Sequence, residues 1–447
     1  MDLITADVSP AVPANEAKWA HEARADPRLL ADIAYAVGGP FHVLFPDQFG
    51  ENVLALRETL SAAGVDGTVY FGKKANKSSC WIPECVRSGA GVDVASEPEL
   101  VRALAGGVRG EDVVVTGAAK KDSLLWLAIR HGALIAVDAL DELDRLTGLA
   151  RRTGPARIQL RVRPPNDPTS RFGLDESELE QALHRCVTAA GALRMEGFSF
   201  HLSGYLAQPR AALAAELVDR CVRARTLGLD ASSVDIGGGF AVSYVDEQDW
   251  RTYTGDLPAE WFHAGRKFGH FYPYHQNPAG ADMLAAILDT TVDGGLTLAD
   301  KLTSTGTRLL MEPGRALLDR AGFSVFRVQG LKHRGDYAIA TVGGLSLSVS
   351  EQWKNSEFLP DPLLWPRTGE YAPIGVCVGG ASCLEYDMLS WRKIPLPRPP
   401  RSGDLLVYPS TAGYQMDKNE SEFHQLPLPD RVVLDRTAGG FRWRLDR

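Results

Sequence analysis

The sequence predicts an α/β protein in which a (β/α)8 TIM barrel precedes a C-terminal all-β domain. Two observations support this prediction. Eight short apolar runs alternate with helical stretches along the first 318 residues, as in a closed parallel barrel. Beyond residue 318, short β-rich runs alternate with Gly- and Pro-containing turns, which indicates a separate domain of strands. A doubly wound open sheet also alternates strands and helices, but it usually contains fewer strands.

The apolar runs have the length of buried parallel strands. In chain order they are Val69–Phe71, Gly91–Ser96, Val113–Gly117, Leu134–Asp138, Ile158–Arg163, Gly197–His201, Val234–Gly239 and Leu309–Arg315. We predict three regions from this pattern. They are an N-terminal extension (1–40) that packs on the β domain, the barrel (41–318) and the all-β domain (319–447).

The composition is that of an ordinary globular protein. The chain has 447 residues, of which 45% are hydrophobic and 23% charged, and its net charge is -8. An acidic chain without a long basic run does not favour nucleic acid as a partner. No apolar stretch reaches the roughly 18 residues that cross a bilayer, and the first residues lack a signal-peptide pattern, so we expect a cytoplasmic protein without a membrane partner. Six scattered cysteines without a CxxC pair fit reduced thiols better than disulfides or a zinc site.

Polar residues stand at the carboxyl ends of the predicted strands, where such barrels carry their chemistry. Lys74 follows the first run, and a partly desolvated lysine is a usable amine nucleophile. Gly237–Gly239 can present backbone N–H groups to a phosphate, although a triple glycine is often only a turn. His201 can stack on a ring or move a proton, or it is a hydrogen-bonded core histidine. Glu312–Arg315 brings an acid near an anion-binding guanidinium, unless the two form a structural ion pair. The other members of this polar ring are Asp93, Ser96, Thr116, Asp138, Arg161 and Arg163.

The interval between the last two runs, residues 241–307, is long and rich in aromatic residues. We expect it to pack its own aromatic side chains and to help cover the site. His263, His270 and His275 lie within it at spacings that fit no zinc-binding pattern, so no metal site is predicted.

A reactive lysine, a glycine-rich phosphate loop, an anion-binding arginine and an acid for a ring nitrogen are together the parts that hold pyridoxal phosphate. The sequence resembles the fold-type III pyridoxal-phosphate decarboxylases, the family that contains diaminopimelate and ornithine decarboxylases. The resemblance runs from about residue 40 to residue 447. Its motifs are Lys74–Asn76, Gly91–Ser96 with Glu99, Arg161–Pro164, Arg171–Leu174, His201, Asp235–Phe240, Glu312–Arg315, Cys383 with Asp387, and Gly413-Tyr414.

The resemblance implies a role for each matching residue. The implied catalytic residues are Lys74, His201 and Cys383. The implied contacts to pyridoxal 5'-phosphate are Lys74, Asp93, His201, Gly237, Gly238, Gly239, Glu312, Gly314, Arg315 and Tyr414, with Glu99 also supporting Lys74. Lys74 would form the Schiff base, and Glu312 would pair with the pyridinium nitrogen. Cys383 would come from a partner subunit and return a proton to the substrate carbon, which implies a head-to-tail homodimer with shared sites.

Two departures from the family pattern concern the far end of the substrate. Leu384 follows Cys383, where ornithine decarboxylase-like chains have Asp and diaminopimelate decarboxylase-like chains have Glu. Gly344–Ser350 replaces a stretch whose final arginine binds the distal carboxylate of diaminopimelate. These features argue against diaminopimelate, ornithine and lysine, and they resemble divergent branches in siderophore and other secondary pathways. The predicted substrate contacts are Asp387 and Ser350.

We therefore predict a pyridoxal-phosphate-dependent α-decarboxylase whose small-molecule substrate is an amino acid or an amino-acid conjugate. The first alternative is a racemase or epimerase, in which Lys74 and Cys383 act on opposite faces of the substrate. The second alternative is a non-catalytic protein that binds the cofactor.

Overall fold

The computed structural model describes residues 8–255, 257–349, 356–418 and 420–446. In these residues the strands are β1 (Phe41–Leu44), β2 (Gly67–Gly72), β3 (Gly91–Val94), β4 (Val113–Val115), β5 (Leu134–Val137), β6 (Ala156–Arg161), β7 (Leu193–Ser199), β8 (Ser233–Asp235), β9 (Arg308–Met311), β10 (Gly322–Arg334), β11 (Tyr337–Val342), β12 (Leu363–Trp365), β13 (Ile374–Gly379), β14 (Met388–Leu396), β15 (Leu405–Tyr408), β16 (Asp430–Thr437) and β17 (Gly440–Leu445). The helices are α1 (Lys18–Ala25), α2 (Leu29–Val37), α3 (Pro46–Ala62), α4 (Trp81–Ser88), α5 (Glu97–Ala105), α6 (Asp122–His131), α7 (Leu140–Thr153), α8 (Glu176–Thr188), α9 (Ala207–Thr226), α10 (Glu247–Gly255), α11 (Gly280–Leu288) and α12 (Leu298–Thr305).

Strands β2 to β9 form a closed parallel barrel, in which each strand pairs with the next and β9 pairs with β2. Each of the eight predicted apolar runs overlaps one of these strands, so the predicted (β/α)8 barrel is confirmed. Tyr70, Val114, Leu134 and Leu310 are buried together as one core cluster. The barrel interior is therefore a packed core, and its strand ends are the place for chemistry.

Local sequence signals set the helix boundaries in the barrel unit. Asp175 accepts a hydrogen bond from the Glu178 backbone N–H, and the Glu178 side chain accepts one from the Asp175 N–H. This capping box begins α8. Gly132, with φ of 70°, ends α6 in the left-handed conformation that glycine adopts without steric cost.

A mixed sheet forms the second architecture, and in the described residues it contains nine strands, β1 and β10 to β17. The predicted all-β domain is thereby confirmed. Strand β1 pairs antiparallel with β10 and parallel with β16, so it belongs to this sheet. The prediction that the barrel region begins at residue 41 had included this strand in the barrel. A short buried apolar run suits either sheet, and partners so distant in sequence leave no local signal.

The chain divides into two compact units. The sheet unit comprises residues 1–49, 242–277 and 318–447, and the barrel unit comprises residues 50–241 and 278–317. Residues 41–49 and 242–277 therefore cluster with the sheet, although the predicted barrel region (41–318) included them. The helical N-terminal segment packs on the same sheet, where Trp19 stacks at 5.7 Å from Phe323.

The aromatic side chains of the sheet unit pack against one another. The Tyr244 ring lies 5.6 Å from Tyr274 and 5.9 Å from Phe358, both in edge-to-face geometry. Such pairs contribute about 0.5–1.5 kcal/mol each beyond the area that they bury. In the part of the chain that the structure describes, no helix combines the length and the apolar character needed to span a bilayer.

Candidate active site

Two adjacent lysines follow β2, and the structure separates their roles. Lys73 is buried, and its Nζ donates to the Lys77 carbonyl oxygen at 3.1 Å. Lys74 has 44% of its side chain exposed, and its Nζ lies 3.5 Å from Asp93 Oδ2. Asp93 also accepts a hydrogen bond of 2.5 Å from Thr116 Oγ1 at the end of the neighbouring strand. The amine of Lys74, and not that of Lys73, is therefore the one available for chemistry.

Buried carboxylates lie at the strand ends beside Lys74. Burial, and then the neighbouring Asp235 and Asp93 carboxylates, raise the pKa of Glu312 well above its ordinary value. Burial also raises the pKa of Asp235, although that carboxylate accepts hydrogen bonds from the Gly237 N–H at 2.9 Å and from Gln159 Nε2 at 3.2 Å. A cluster of this kind retains a proton and favours a cationic N–H group beside it.

His201 follows β7 and lines one cavity together with Lys74 and Glu312, and its side chain is partly open to that cavity. Its Nδ1 accepts a hydrogen bond of 3.3 Å from the Gly238 N–H, which places any ring proton of the neutral form on Nε2. Desolvation, followed by the charges of Lys74 and Arg161, lowers the pKa of His201 to about 3. His201 is therefore neutral at physiological pH.

The glycine loop after β8 requires its glycines. Gly237 and Gly239 have φ of 65° and 81°, which other residues rarely adopt. A Cβ on Gly237 would lie 2.6 Å from the Phe200 carbonyl oxygen. The buried Arg210 fixes the loop from behind, since its guanidinium donates to the Ile236 and Gly239 carbonyls at 3.1 and 3.3 Å. The loop is therefore a rigid turn that leaves no room for a side chain.

The segment after β9 packs against the strand that delivers Lys74. The Gly72 N–H donates to the Pro313 carbonyl at 3.2 Å, and a Cβ on Gly72 would lie 3.5 Å from Gly314 Cα. Arg315 is buried directly after this contact. The structure thus brings Gly314 and Arg315 to the rim that carries Lys74, and their predicted contact with a phosphate stays a prediction.

Two arginines flank one phenylalanine at the cavity wall. The Arg161 and Arg171 guanidinium carbons lie 4.5 and 4.0 Å from the centre of the Phe172 ring. Arg161 also donates to Asp138 Oδ1 at 3.2 Å, and the same oxygen accepts from the Gly173 N–H at 3.0 Å. Arg171–Leu174 stood out in the sequence only as a motif, and its position in the cavity could not be read from spacing.

These residues enclose one cavity of about 460 Å³. Its lining residues are Lys74, Ala95, Thr116, Gly117, Ala118, Ala119, Ala136, Arg161, Arg171, Phe172, Ser199, Phe200, His201 and Glu312. This volume lies within the range of small-molecule and cofactor sites. Asp235, which is hydrogen-bonded to Glu312 and Gln159, received no role from the sequence, although it lies two residues before the glycine loop.

Glu99, predicted to support Lys74, instead fixes the turn after β3. Its carboxylate accepts a hydrogen bond of 2.8 Å from the Ala95 N–H, and its own N–H donates to Ser96 Oγ. Glu99 therefore acts on the strand-end loop that forms part of the cavity wall.

The remaining predicted residues belong to the sheet unit. Cys383 is exposed, and Tyr414 has φ of 74°, an unusual conformation for a bulky residue. Asp387 is buried, and its two oxygens accept the Ser346 and Ser382 backbone N–H groups at 2.8 and 3.0 Å. This geometry gives Asp387 a structural role in its loop and leaves its predicted substrate contact without support. The other predicted substrate contact, at position 350, lies outside the described residues.

Comparisons with known proteins identify the family of this chain. The family model for the pyridoxal-binding domain of pyridoxal-dependent decarboxylases matches residues 48–318. The "Uncharacterized protein y4yA" of Sinorhizobium fredii is 38% identical over 92% of this chain and 91% of that protein. Diaminopimelate decarboxylase of Actinosynnema pretiosum is 29% identical over 86% and 81% of the two chains. The chain belongs to the pyridoxal-dependent decarboxylase family.

Solved structures show the same fold. Diaminopimelate decarboxylase from M. jannaschii, in complex with L-lysine, aligns with a TM-score of 0.73 at 20% identity over 94% of this chain and 91% of that one. Lysine/ornithine decarboxylase from Vibrio vulnificus, in complex with putrescine, aligns with a TM-score of 0.69 at 19% identity over 92% and 98%.

Pyridoxal 5'-phosphate is the cofactor of this family, and the residues present fit it. The cavity offers an amine, Lys74, beside a buried acid, Glu312, that retains a proton. The buried Ser199 Oγ lines this cavity without a hydrogen-bond partner in the described protein. The glycine loop keeps backbone close to the site because a Cβ on Gly238 would lie 2.9 Å from the Glu312 carbonyl oxygen. Amine, acid and loop are the features that this cofactor requires.

Proposed function

We propose that the protein catalyses the α-decarboxylation of an amino acid or an amino-acid conjugate, with Lys74 as the residue that binds the cofactor covalently. One observation carries the proposal. Lys74 and the proton-retaining Glu312 line one cavity of about 460 Å³, and the Asp93 carboxylate lies 3.5 Å from the Lys74 amine. An amine nucleophile and a buried acid in one cavity are suited to a cofactor that withdraws electrons from a substrate.

Each residue of the site has its own proposed role in this reaction. When bound, pyridoxal phosphate supplies an aldehyde that captures amines and a ring that withdraws electrons from the bond that breaks. Glu312 holds a proton beside Asp235, and it would give that proton to the ring nitrogen and pair with it. His201 stays neutral and would cover the ring face without adding charge. Lys74 would hold the cofactor aldehyde through its amine and would give way there to the substrate amine.

The remaining predicted site residues would bind the phosphate and return the proton. The rigid Gly237–Gly239 loop, Gly314 and the buried Arg315 would hold the phosphate together with Tyr414. Cys383, the exposed thiol of the sheet unit, would return a proton to the substrate carbon. The family resemblance implies that this thiol comes from a second copy of the chain, and we propose a head-to-tail homodimer.

A second cavity supports a conjugated substrate. It has about the same volume, 460 Å³, and shares Ala95 and Ala119 with the first. Pro98, Val101 and Leu124 give it an apolar wall, and Ser96, Glu97 and Lys121 also line it. Because the α-amine must be free to displace Lys74, the conjugated group belongs on the substrate side chain, where it would extend into this second cavity.

A charge placed in the second cavity tests this substrate class. Val101 on α5 and Val86 on α4 are about equally exposed, at 49% and 50%, so Val86→Asp is a matched control. We expect Val101→Asp to raise KM about 10-fold for amino acids with an apolar side-chain conjugate, because the charge must lose water when the arm binds. An equal KM in both variants would contradict the proposal that the conjugated group of the substrate binds in the second cavity.

Product analysis in deuterated water tests the reaction itself. A panel of free amino acids and side-chain conjugates, including diaminopimelate, ornithine and lysine, is incubated with the holoenzyme. Release of CO2 with one deuterium at the former α-carbon supports the proposal. Deuterium at Cα with the carboxylate retained would instead show a racemase or epimerase. Lys74→Ala should abolish both turnover and the absorbance of the lysine-bound cofactor, and retention of that absorbance would refute the assignment of Lys74.

A further inference from the structure

A second reactive pair lies outside the barrel cavity, in the sheet unit. Cys383 Sγ and His424 Nε2 are 3.2 Å apart, within hydrogen-bonding distance for a sulfur atom. Both side chains are exposed. An imidazole in contact with a thiol can take its proton or give one to it, which is how paired nucleophiles and acids are activated.

The five other cysteines have a different environment. All of them are buried, and none of the contacts described for them is with a histidine side chain. Burial raises the pKa of the Cys85 and Cys377 thiols, which keeps them protonated and inert. Cys383 is therefore the cysteine whose accessibility and neighbour suit proton transfer.

The backbone holds His424 in an uncommon conformation. His424 and the following Gln425 have φ of 60° and 59°, and the Phe423 ring lies 4.2 Å from the His424 ring. Left-handed backbone at non-glycine residues persists where the surrounding structure enforces it. The imidazole is thus directed at Cys383 by its own segment, 41 residues away in the chain.

We infer that His424 is a positioning residue that supplies Cys383 with the proton it returns to the substrate carbon. The substrate carbon that has lost CO2 takes the proton of the Cys383 Sγ–H bond, and a thiolate remains. His424 Nε2 gives its proton to that sulfur, and water replaces the proton on the imidazole. No oxidant or reductant is needed. The inference depends on the proposed role of Cys383 in turnover, but the contact between thiol and imidazole does not.

Alkylation of the holoenzyme by iodoacetamide at pH 7 tests the pair without turnover. Cys383 is the exposed thiol, so its modification can be followed by mass spectrometry. Asn accepts left-handed backbone better than most residues but cannot exchange a proton at this position, so His424→Asn is the informative variant. We expect it to slow alkylation about 10-fold, because no imidazole then lies 3.2 Å from Sγ to accept its proton as the sulfur attacks. The exposed His184→Asn on α8 is the matched control and should react like the wild type.

Chemical rescue separates proton transfer from a structural effect. Gly adopts left-handed backbone without strain, so His424→Gly keeps the chain path and opens a space beside the sulfur. Added imidazole should restore both the alkylation rate and kcat of this variant, and it should leave His184→Asn unchanged. Equal alkylation of His424→Asn and wild type, or no rescue of His424→Gly by imidazole, would overturn the inference. Normal alkylation behaviour of the pair with no turnover on any substrate would instead count against the proposed function alone.

Discussion

At the residue scale, environment and not residue type distinguishes the functional side chains. Lys73 and Lys74 are identical in chemistry, yet one amine is tied to a carbonyl in the interior and the other faces a carboxylate in the cavity. A sequence cannot reveal this difference, because the short 3-10 turn Lys73–Ala75 that rotates the two side chains apart has no distinctive pattern. The family motif supplied the choice of Lys74, and the turn supplies its physical reason.

His201 provides a pH-dependent prediction at this scale. Its folded pKa, about 3, lies below the ordinary 6.5 of an unfolded chain, so the unfolded state binds the proton first as the pH falls. The resulting loss in the free energy of unfolding is negligible above pH 6.5 and grows between pH 6.5 and about 3. Without cofactor, the wild type should therefore lose about 1 kcal/mol more free energy of unfolding than His201→Asn between pH 7.5 and 5, a value reduced for solvent screening at the open ring surface.

Urea unfolding at the two pH values measures this difference. His184 is exposed, so His184→Asn should follow the wild type at both pH values. If His201→Asn and the wild type lose the same free energy on acidification, then His201 is protonated normally in the folded protein.

At the element scale, the strands of the barrel were predictable and the sheet membership of β1 was not. Each barrel strand lies next to its sequence neighbour, so a repeated apolar run reports directly on the fold. Phe41–Leu44 pairs with strands that begin at Gly322 and Asp430, and no local pattern records such distant partners. The contact between Cys383 and His424 was not predicted for the same reason, because it joins two segments that are 41 residues apart in the chain.

The glycine loop after β8 gives a prediction for an element. Gly237→Ala should lower the free energy of unfolding by about 1–3 kcal/mol, because the loop has left-handed backbone and a carbonyl oxygen fills the Cβ position. The same variant should bind pyridoxal phosphate more weakly in an absorbance titration. Gly148 lies in α7, where an added Cβ would meet nothing within 4 Å, so Gly148→Ala should raise stability by about 0.5–1 kcal/mol. Equal effects of the two variants would contradict this account of the loop.

A buried ion pair links the loop after β4 to helix α7. Lys120 Nζ donates to Glu142 at 2.9 and 3.0 Å, both side chains are buried, and Glu142 also accepts the Asp138 N–H at 2.9 Å. Lys120→Met should cost about 3–5 kcal/mol of stability because it leaves a buried carboxylate without its cation. The exposed pair of Arg251 with Glu247 is the control, and Arg251→Met should cost less than about 1 kcal/mol. Thermal or urea unfolding of both variants makes the comparison, and similar losses would argue against a structural role for the pair.

At the scale of the whole molecule, the shared-site dimer is testable by complementation. Lys74→Ala and Cys383→Ala each remove one component of every site. A mixed dimer of the two variants contains one site with both changes and one site with neither. Random exchange of subunits should therefore restore about a quarter of the wild-type activity. Activity that stays at the level of the separate variants would show that Lys74 and Cys383 of one chain serve the same site.

The pairing of β1 also has a consequence for biosynthesis. This strand is made early, but its neighbours in the sheet are β10 and β16, which begin only at Gly322 and Asp430. At ordinary rates of about 5–20 residues per second, roughly 20–80 s pass before β16 is made. During that interval the barrel unit can complete its own strand ladder, while the N-terminal strand has an unpaired edge. Nascent chains stalled before residue 430 therefore expose a strand edge that the finished protein covers.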